Sequence, residues 1–211
     1  MAILDLTNFE SAPLQHDPFN FVVAQGVMST DTIEALNRDY PSIDLPANYS
    51  PEDLDYGPSF QQLLDELNNA EFDSVIESKF GVDLEGTEKT ITVRKYSEMS
   101  DGNIHTDHWS KIITVLIYFN PEWTQEGGKL RLLHSKDDIE NYAAEITPVG
   151  GNMLAFRRCR NSFHGYKRFK GERCMVQVNW VKSSRFAWYT QQLSRFGTHT
   201  GKRLLRMTQG S

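Results

Sequence analysis

The sequence of 211 residues has few of the features that mark secreted or membrane proteins. It contains two cysteines, Cys159 and Cys174, which are too few for the disulfide frameworks of small secreted domains. No hydrophobic run approaches the roughly 18 apolar residues of a membrane-spanning helix. The first residues also lack the basic segment and apolar core of a signal peptide. We therefore expect a cytoplasmic protein whose two thiols are reduced.

Acidic residues are missing from residues 181–211, which contain six basic residues. This segment carries a charge of +6. Because the whole chain has a net charge of −6, residues 1–180 carry −12. The interpretation we favour is a tail helix that lies on the acidic body of its own subunit or of a partner in a homodimer. The alternative is contact with an anionic partner or a membrane surface. We expect no nucleic-acid binding, because binding to phosphates requires a basic surface and the body is acidic.

The N-terminal part of the chain combines helical patterns with a stretch that proline interrupts. Ser29 or Thr30 can cap a helix that ends near Tyr40. Four prolines then exclude regular secondary structure from residues 41–60. This acidic stretch is either a lid over the mouth of an active site or a surface connector. The sequence favours neither.

The hydrophobic period changes along the chain from about 3.6 to two. Residues 60–80 place apolar side chains at helical spacing, and Gly81 is a suitable end. Between residues 89 and 181 there are five β-branched or alternating runs, TITVRKY, KIITVLIYF, GKLRLLH, NMLAF and RCMVQVNWV. Many strands without helices between them predict a β-sandwich or barrel rather than a parallel α/β sheet.

The domain organisation that follows is a single domain over residues 1–211. We expect residues 1–88 to form a helical and loop-rich support, residues 89–181 the β core, and residues 182–211 a basic C-terminal helix or tail. The predicted fold class is mainly β with flanking helices.

His105, Asp107 and His164 are the candidate metal ligands. In a β-strand, residues i and i+2 face the same side, so His105 and Asp107 can reach one ion. His164 follows Asp107 by 57 residues, with several predicted strands between them, so a barrel can bring it to the same place. Two imidazoles and one carboxylate on one face of the ion leave adjacent positions open, which is typical of non-haem iron(II) oxygenases.

Arg173 is the candidate anchor for a carboxylate. It follows His164 by nine residues and begins the last predicted strand, next to Cys174 and Met175. A guanidinium in an apolar barrel needs an anion, and its fork matches a carboxylate with bonds of roughly 1.5–3 kcal/mol each. The distal carboxylate of 2-oxoglutarate is such an anion. A carboxylate of the protein itself is the alternative partner.

The segment from Tyr96 to Trp180 resembles the prolyl-hydroxylase branch of the iron(II)- and 2-oxoglutarate-dependent oxygenases, notably the oxygen-sensing prolyl hydroxylases. The matching pieces, in order, are KYSEMSDGNIHTDH, ITVLIYFNPEW, EGGKLRLL, TPVGGNMLAF and NSFHGYKRFKGERCMVQVNW. The resemblance covers about 85 residues. It implies a double-stranded β-helix, the jelly-roll barrel of the cupin type, with iron near one mouth.

This resemblance also implies roles for individual residues. His105, Asp107 and His164 would be the catalytic iron ligands, and Arg173 would bind 2-oxoglutarate. Tyr118 would bind the same distal carboxylate through its hydroxyl. Tyr96 would line the co-substrate or substrate pocket, although it lies one residue closer to His105 than in the oxygen-sensing enzymes.

The implied activity is a hydroxylase, a dioxygenase that oxidises a C–H bond and releases succinate and carbon dioxide. Iron(II), 2-oxoglutarate and dioxygen would be required, with ascorbate as an expected reductant. The substrate would be a peptidyl proline, a free amino acid or another small molecule. Two alternatives stay open: a cupin-like metal enzyme that does not use 2-oxoglutarate, and a non-catalytic binding module on the same barrel.

Other polar residues lie close in sequence to the candidate ligands. His108 directly follows Asp107 and should point to the opposite face, so we do not expect it to bind the metal. Arg157, Arg158 and Arg160 flank Cys159. They would favour an anionic substrate if they face the barrel mouth, and otherwise they belong to a solvated loop.

Overall fold

The structure is a computed structural model that describes residues 2–182. The basic segment predicted to follow Val181 therefore lies outside the described residues, apart from Lys182. The elements in chain order are α1 Thr7–Ser11, β1 Phe21–Ala24, α2 Thr30–Arg38, a 3₁₀ turn Pro51–Asp53, α3 Pro58–Asn68, α4 Ala70–Phe80, β2 Glu88–Ser97, β3 Lys111–Tyr118, β4 Leu130–Leu133, β5 Tyr142–Ile146, β6 Met153–Arg157, β7 His164–Gly165 and β8 Gly171–Val181. None of the helices within residues 2–182 is long and apolar enough to cross a bilayer.

Side-chain caps set the helix boundaries. Ser29 accepts a hydrogen bond from the backbone N–H of Thr32 at 3.2 Å and begins α2, as predicted. The pattern over residues 60–80 forms two helices rather than one, because Asn69 has an extended backbone. The Asn69 side chain then caps α4 by accepting from the N–H of Glu71. Gly81 ends α4 in the left-handed conformation, as its position predicts.

Two antiparallel sheets form the β core. The larger has the order β1-β6-β3-β8-β2 and the smaller the order β5-β4-β7. All five predicted runs are strands, and with the flanking helices they confirm the mainly β fold class. Strands β1, β5 and β7 were not predicted, because each contains only two to five residues and lacks a long alternating pattern.

Strand alternation separates two hydrophobic cores. In β3, Ile113, Val115 and Ile117 pack against the helical layer, together with Leu67 and Ile76 from α3 and α4. Leu116 and Tyr118 point the other way, into the space between the sheets. The polar residue Thr114 has the same parity as Leu116, so it also faces the barrel interior. The helices thus support the outer face of the sheet, and the inner face is left for the site.

The proline-rich stretch of residues 41–60 is attached to the edge of the larger sheet. Tyr49 and Val93 of β2 exchange two backbone hydrogen bonds of 2.9 Å, and Ile43 is buried. The neighbouring Asn48 reaches the cavity described below. This stretch therefore contributes a side chain to the wall of the cavity.

Candidate metal centre and cavity

The structure brings His105, Asp107 and His164 together. One possible ligand atom from each residue lies within 4.8 Å of the others. His105 and His164 exchange backbone hydrogen bonds of 3.0 and 2.9 Å, so an antiparallel bridge places the two imidazoles side by side. Their ring centroids are 4.4 Å apart. The donor set of two imidazoles and a carboxylate fits a ferrous ion.

The reason for this convergence differs from the predicted one. His105 forms an isolated bridge, and Asp107 lies in the loop between β2 and β3, so the two are not neighbours on one face of a regular strand. Contacts with other segments fix them instead: His105 through its bridge to His164, and Asp107 through side chains of β3. The expectation of a strand at 105–107 was wrong, although its geometric consequence is observed.

Backbone carbonyls orient both imidazoles. Nδ1 of His105 lies 2.8 Å from the carbonyl oxygen of Asn103, and Nδ1 of His164 lies 3.0 Å from that of Ser162. A carbonyl can only accept, so each Nδ1 carries the proton and each Nε2 keeps its lone pair for a metal. His164 is only 6% exposed, and burial lowers its pKa to about 4. It is therefore neutral near pH 7, as a ligand must be.

Asp107 is held as a carboxylate by two neighbours on β3. Nζ of Lys111 lies 2.8 Å from its Oδ1, and the hydroxyl of Thr114 donates to its Oδ2 at 2.6 Å. Burial alone would raise the pKa of Asp107. The charge of Lys111 and these hydrogen bonds outweigh burial, and the pKa lies well below its ordinary value. Asp107 is therefore ionised over the whole neutral range.

Arg173 is a buried cation that has only neutral partners within residues 2–182. It is 3% exposed and donates to the carbonyl of Gly128 at 2.7 Å and to the hydroxyl of Tyr118 at 3.1 Å. Its guanidinium also lies 4.5 Å from the centre of the Tyr166 ring. No carboxylate in the described part of the chain forms an ion pair with it, so the alternative of a protein anion is not observed.

The two tyrosines predicted for this region lie in different places. Tyr118 is fully buried and contacts Arg173. Tyr96 does not line the cavity, and its hydroxyl donates to Glu172 instead. The pairing of β2 with β8 shifts register between Arg94 and Tyr96, which sets Tyr96 opposite Glu172 rather than Arg173. Because of this bulge, Tyr96 lies outside the cavity wall in which it was predicted.

One cavity of about 350 Å³ connects the metal ligands with Arg173. Its wall also includes Thr114, Phe156 and Met175, together with Arg94 on β2 and Asn48. These wall residues were not predicted. Alternation could have indicated Thr114 and Met175, because each faces the same side of its strand as Tyr118 or Arg173. No sequence signal indicates Asn48, which lies outside the strands.

Two glycines allow the loop before His105 to approach β7. A Cβ on Gly165 would lie 2.8 Å from the carbonyl oxygen of Gly102, and a Cβ on Gly102 would lie 2.4 Å from that of Tyr166. The N–H of Tyr166 donates to the same Gly102 carbonyl at 3.0 Å. The bridge between the two histidine segments thus requires glycine on both sides.

The remaining polar candidates lie beside the site. His108 contacts Ser110 through Nδ1 at 2.8 Å and does not belong to the donor group of the metal centre. Arg158 donates from Nε to the backbone carbonyl of Asp107 at 3.3 Å, while Arg157 and Arg160 are exposed. None of these arginines lines the cavity. The cavity wall therefore gives no support to an anionic substrate bound by this cluster.

Comparisons with known proteins agree with this geometry. A family model described as the 2OG-Fe(II) oxygenase superfamily matches residues 91–182, a range that contains all three candidate ligands and Arg173. A search of curated protein sequences gives no match.

Among solved structures, a prolyl-4-hydroxylase from Pseudomonas putida is similar, with 14% identity and a TM-score of 0.53 over 78% of this chain and 93% of that chain. HygX from Streptomyces hygroscopicus, solved with iron bound, has 12% identity and a TM-score of 0.52, covering 80% of this chain and 84% of its own. A prolyl hydroxylase from Trichoplax adhaerens, in complex with a hypoxia inducible factor peptide fragment, has 19% identity and a TM-score of 0.50 over 76% and 83%. These likenesses confirm the double-stranded β-helix fold.

Proposed function

We propose that this chain is a 2OG-Fe(II) oxygenase in which His105, Asp107 and His164 hold the iron and Arg173 holds 2-oxoglutarate, since the model of that superfamily matches residues 91–182. The reaction class follows from the family. It is a dioxygenase reaction that hydroxylates a C–H bond and consumes dioxygen and 2-oxoglutarate. The assignment of each role to a residue of this chain is the proposal.

The observation that carries the assignment is a buried cation that has no anionic partner among residues 2–182 and shares a cavity with a complete donor set. Arg173 and the three candidate ligands all line this cavity. An unpaired buried charge is costly, so a site of this kind is built for an anionic ligand. A dicarboxylate can reach the metal with one end and Arg173 with the other.

The side chains divide the work by position. His105 and His164 direct Nε2 to the metal because their Nδ1 protons are bound by carbonyls. Asp107 supplies the negative ligand, and Thr114 and Lys111 hold it in place. Tyr118 contacts Arg173 and would add its hydroxyl to the distal carboxylate site. When bound, iron(II) and 2-oxoglutarate would supply the oxidising chemistry, and the protein supplies their orientation in the cavity.

The substrate we propose is a peptidyl proline or another group of similar size, such as a free amino acid. Two of the similar structures are described as prolyl hydroxylases, one of them in complex with a peptide fragment. A cavity of about 350 Å³ must hold 2-oxoglutarate together with the reacting group, which favours a small group. The exposed Asn48, which lines the cavity, offers amide hydrogen bonds to such a substrate.

Three further parts of the proposal concern the surroundings of the enzyme. His105 is exposed, so a soluble reductant such as ascorbate can approach the metal and keep it ferrous. Cys159 and Cys174 are free thiols, which supports a cytoplasmic location. A homodimer could place residues 182–211 of one subunit on the acidic body of the other, and the charge asymmetry is its support.

Two variants of the proposed metal ligands and one variant of the proposed 2-oxoglutarate anchor test the assignment. In His105→Ala and Asp107→Ala, conversion of 2-oxoglutarate to succinate should fall to background, because two ligands do not hold the ion in a productive geometry. Arg173→Met should instead raise the 2-oxoglutarate concentration needed for half-maximal turnover by about 10- to 100-fold, the effect of losing charge-assisted bonds of about 1.5–3 kcal/mol.

The matched control is Arg157→Met, which removes an exposed arginine away from the cavity and should leave turnover unchanged. Succinate is measured by mass spectrometry, together with a search for peptides or metabolites that gain about 16 mass units, the mass of one inserted oxygen atom. Full turnover in His105→Ala or Asp107→Ala would show that the ligand assignment is wrong.

A further inference from the structure

Lys111 places a positive charge directly on the carboxylate proposed as a metal ligand. Its Nζ lies 2.8 Å from Oδ1 of Asp107, and its side chain is 13% exposed. Within residues 2–182 it forms an ion pair with no other carboxylate. Thr114 binds the second oxygen of Asp107 without adding charge. The two neighbours of this ligand therefore do different things: both orient it, and only Lys111 neutralises it.

The charge of Lys111 has opposite effects on the two components that bind here. Asp107, Lys111 and a divalent ion together carry +2, and the same set without Lys111 carries +1. When the dianion 2-oxoglutarate joins, the set with Lys111 is neutral, and the set without it carries −1. Arg173 adds the same charge to every state. Because like charges repel strongly at short range in a buried site, Lys111 opposes the metal alone and favours the metal together with the dianion.

We propose that Lys111 is a positioning residue that couples metal binding to 2-oxoglutarate binding through its charge on Asp107. It weakens binding of the metal alone and strengthens binding of 2-oxoglutarate to the metal-loaded protein. Thr114 supplies orientation without this coupling. The inference rests on the proposed function, since it takes Asp107 as a ligand and 2-oxoglutarate as the dianion that binds beside it. Such coupling makes a fully loaded site the favoured state.

The test compares Lys111→Met with Thr114→Val, using Mn²⁺ as a divalent probe that does not turn over. Met keeps the length of the lysine side chain and removes its charge, and Val keeps the shape of Thr114 and removes its hydroxyl. In Lys111→Met we expect Mn²⁺ to bind about tenfold more tightly than in the wild type. The affinity of the Mn²⁺-loaded variant for 2-oxoglutarate should fall about tenfold. Both are measured by isothermal titration calorimetry, with free Mn²⁺ followed by electron paramagnetic resonance.

Thr114→Val should behave in the opposite way for the metal. It loses a hydrogen bond that orients a ligand, so Mn²⁺ should bind about 10- to 100-fold more weakly. Lys111→Arg retains the charge and should keep both affinities close to those of the wild type. Lys111→Gln, a second neutral variant, should repeat the result of Lys111→Met and covers the case in which that variant does not fold.

The outcomes separate this inference from the proposed function. If the wild type does not bind Mn²⁺ at all, the metal centre itself is wrong. If the wild type binds Mn²⁺ and 2-oxoglutarate, but the neutral variants bind the metal with equal or lower affinity, the coupling role of Lys111 is overturned and the metal centre stands.

Discussion

Burial of charged and polar side chains is what distinguishes the site at the scale of single residues. Asp107 is 8% exposed and Arg173 is 3% exposed. Asp107 is compensated within the chain by Lys111, whereas Arg173 is bound by a carbonyl, a thioether and a hydroxyl. Breaking a buried ion pair leaves an uncompensated charge and typically costs several kcal/mol. One charge is thus balanced by a neighbour within the chain, whereas the other has only neutral partners among residues 2–182, which is the basis of its proposed role as an anchor.

The two thiols provide a prediction at the same scale. Cys174 is buried on β8, and burial raises its pKa to about 12. Alkylation requires the thiolate, and at pH 8 a group with a raised pKa stays protonated. We expect iodoacetamide at pH 8 to modify the native protein at Cys159, which is half-buried, and to leave Cys174 unmodified.

Peptide mass spectrometry after a timed reaction checks this result. Cys159→Ser should abolish labelling of the native protein, and in urea the wild type should be labelled at both positions. Modification of Cys174 at the rate of Cys159 in the folded protein would contradict the structure.

The pairing of a loop with a very short strand decides the site at the scale of elements. β7 contains only His164 and Gly165, yet it pairs with β4 on one side and with His105 on the other. Close approach at Gly102 and Gly165 makes the second pairing possible. The distance between the two imidazoles therefore depends on residues that carry no functional group.

Gly165→Ala tests this dependence. The new Cβ would meet the Gly102 carbonyl at 2.8 Å, so the loop must move away and take His105 with it. We expect Mn²⁺ affinity to fall about 10- to 100-fold, as for other disturbances of ligand orientation. Crowding of this kind should also lower the free energy of unfolding by about 1–3 kcal/mol.

Gly86→Ala is the matched control. Gly86 lies in a turn, with φ of 69°, and a Cβ there meets no atom within 4 Å. This variant should lose about 1 kcal/mol of stability through backbone strain and keep its metal affinity. Calorimetry and urea unfolding measure the two quantities. Equal metal affinity in Gly165→Ala and the wild type would show that the glycine contact does not position His105.

At the scale of the whole molecule, the larger sheet has a layer of helices on one face and the cavity on the other. The helices cover the face that Val115 and Val178 present, while Thr114 and Arg173 point into the cavity on the other side. Ligands bound in the cavity would contact several strands at once, because residues of β2, β3, β6 and β8 line it. Their binding free energy should therefore add to the stability of the entire fold.

Thermal unfolding tests this linkage. A ligand at 100 times its Kd adds about 2.7 kcal/mol, which corresponds to a rise of about 5–10 °C for a domain of this size. We expect Mn²⁺ to raise the unfolding temperature and 2-oxoglutarate to raise it further when Mn²⁺ is present. Arg173→Met should keep the increment from Mn²⁺ and lose the increment from 2-oxoglutarate. Arg157→Met should keep both, and an unchanged 2-oxoglutarate increment in Arg173→Met would contradict the anchor role.

Local pattern was enough to predict much of the fold. The alternating runs from residue 89 onward are strands, and the caps at Ser29 and Gly81 lie where their residue types predict. Alternation within a strand is a local property, because each side chain faces away from its immediate neighbours. The single helical pattern of residues 60–80 was broken by the cap at Asn69, which shows the limit of periodicity alone.

The sequence by itself determined which chemical groups are present: two histidines, an aspartate and an arginine at spacings that a barrel can close. Tertiary structure alone decided how they meet. The bridge from His105 to His164 and the bulge that turns Tyr96 away both depend on partners far along the chain. The contact of Asp107 with Lys111 spans only four residues, but no regular pattern predicts it, because Asp107 lies in a loop. The physical reason is that a side chain's direction follows from its own backbone, whereas its partner follows from register and close packing between segments that sequence order does not specify.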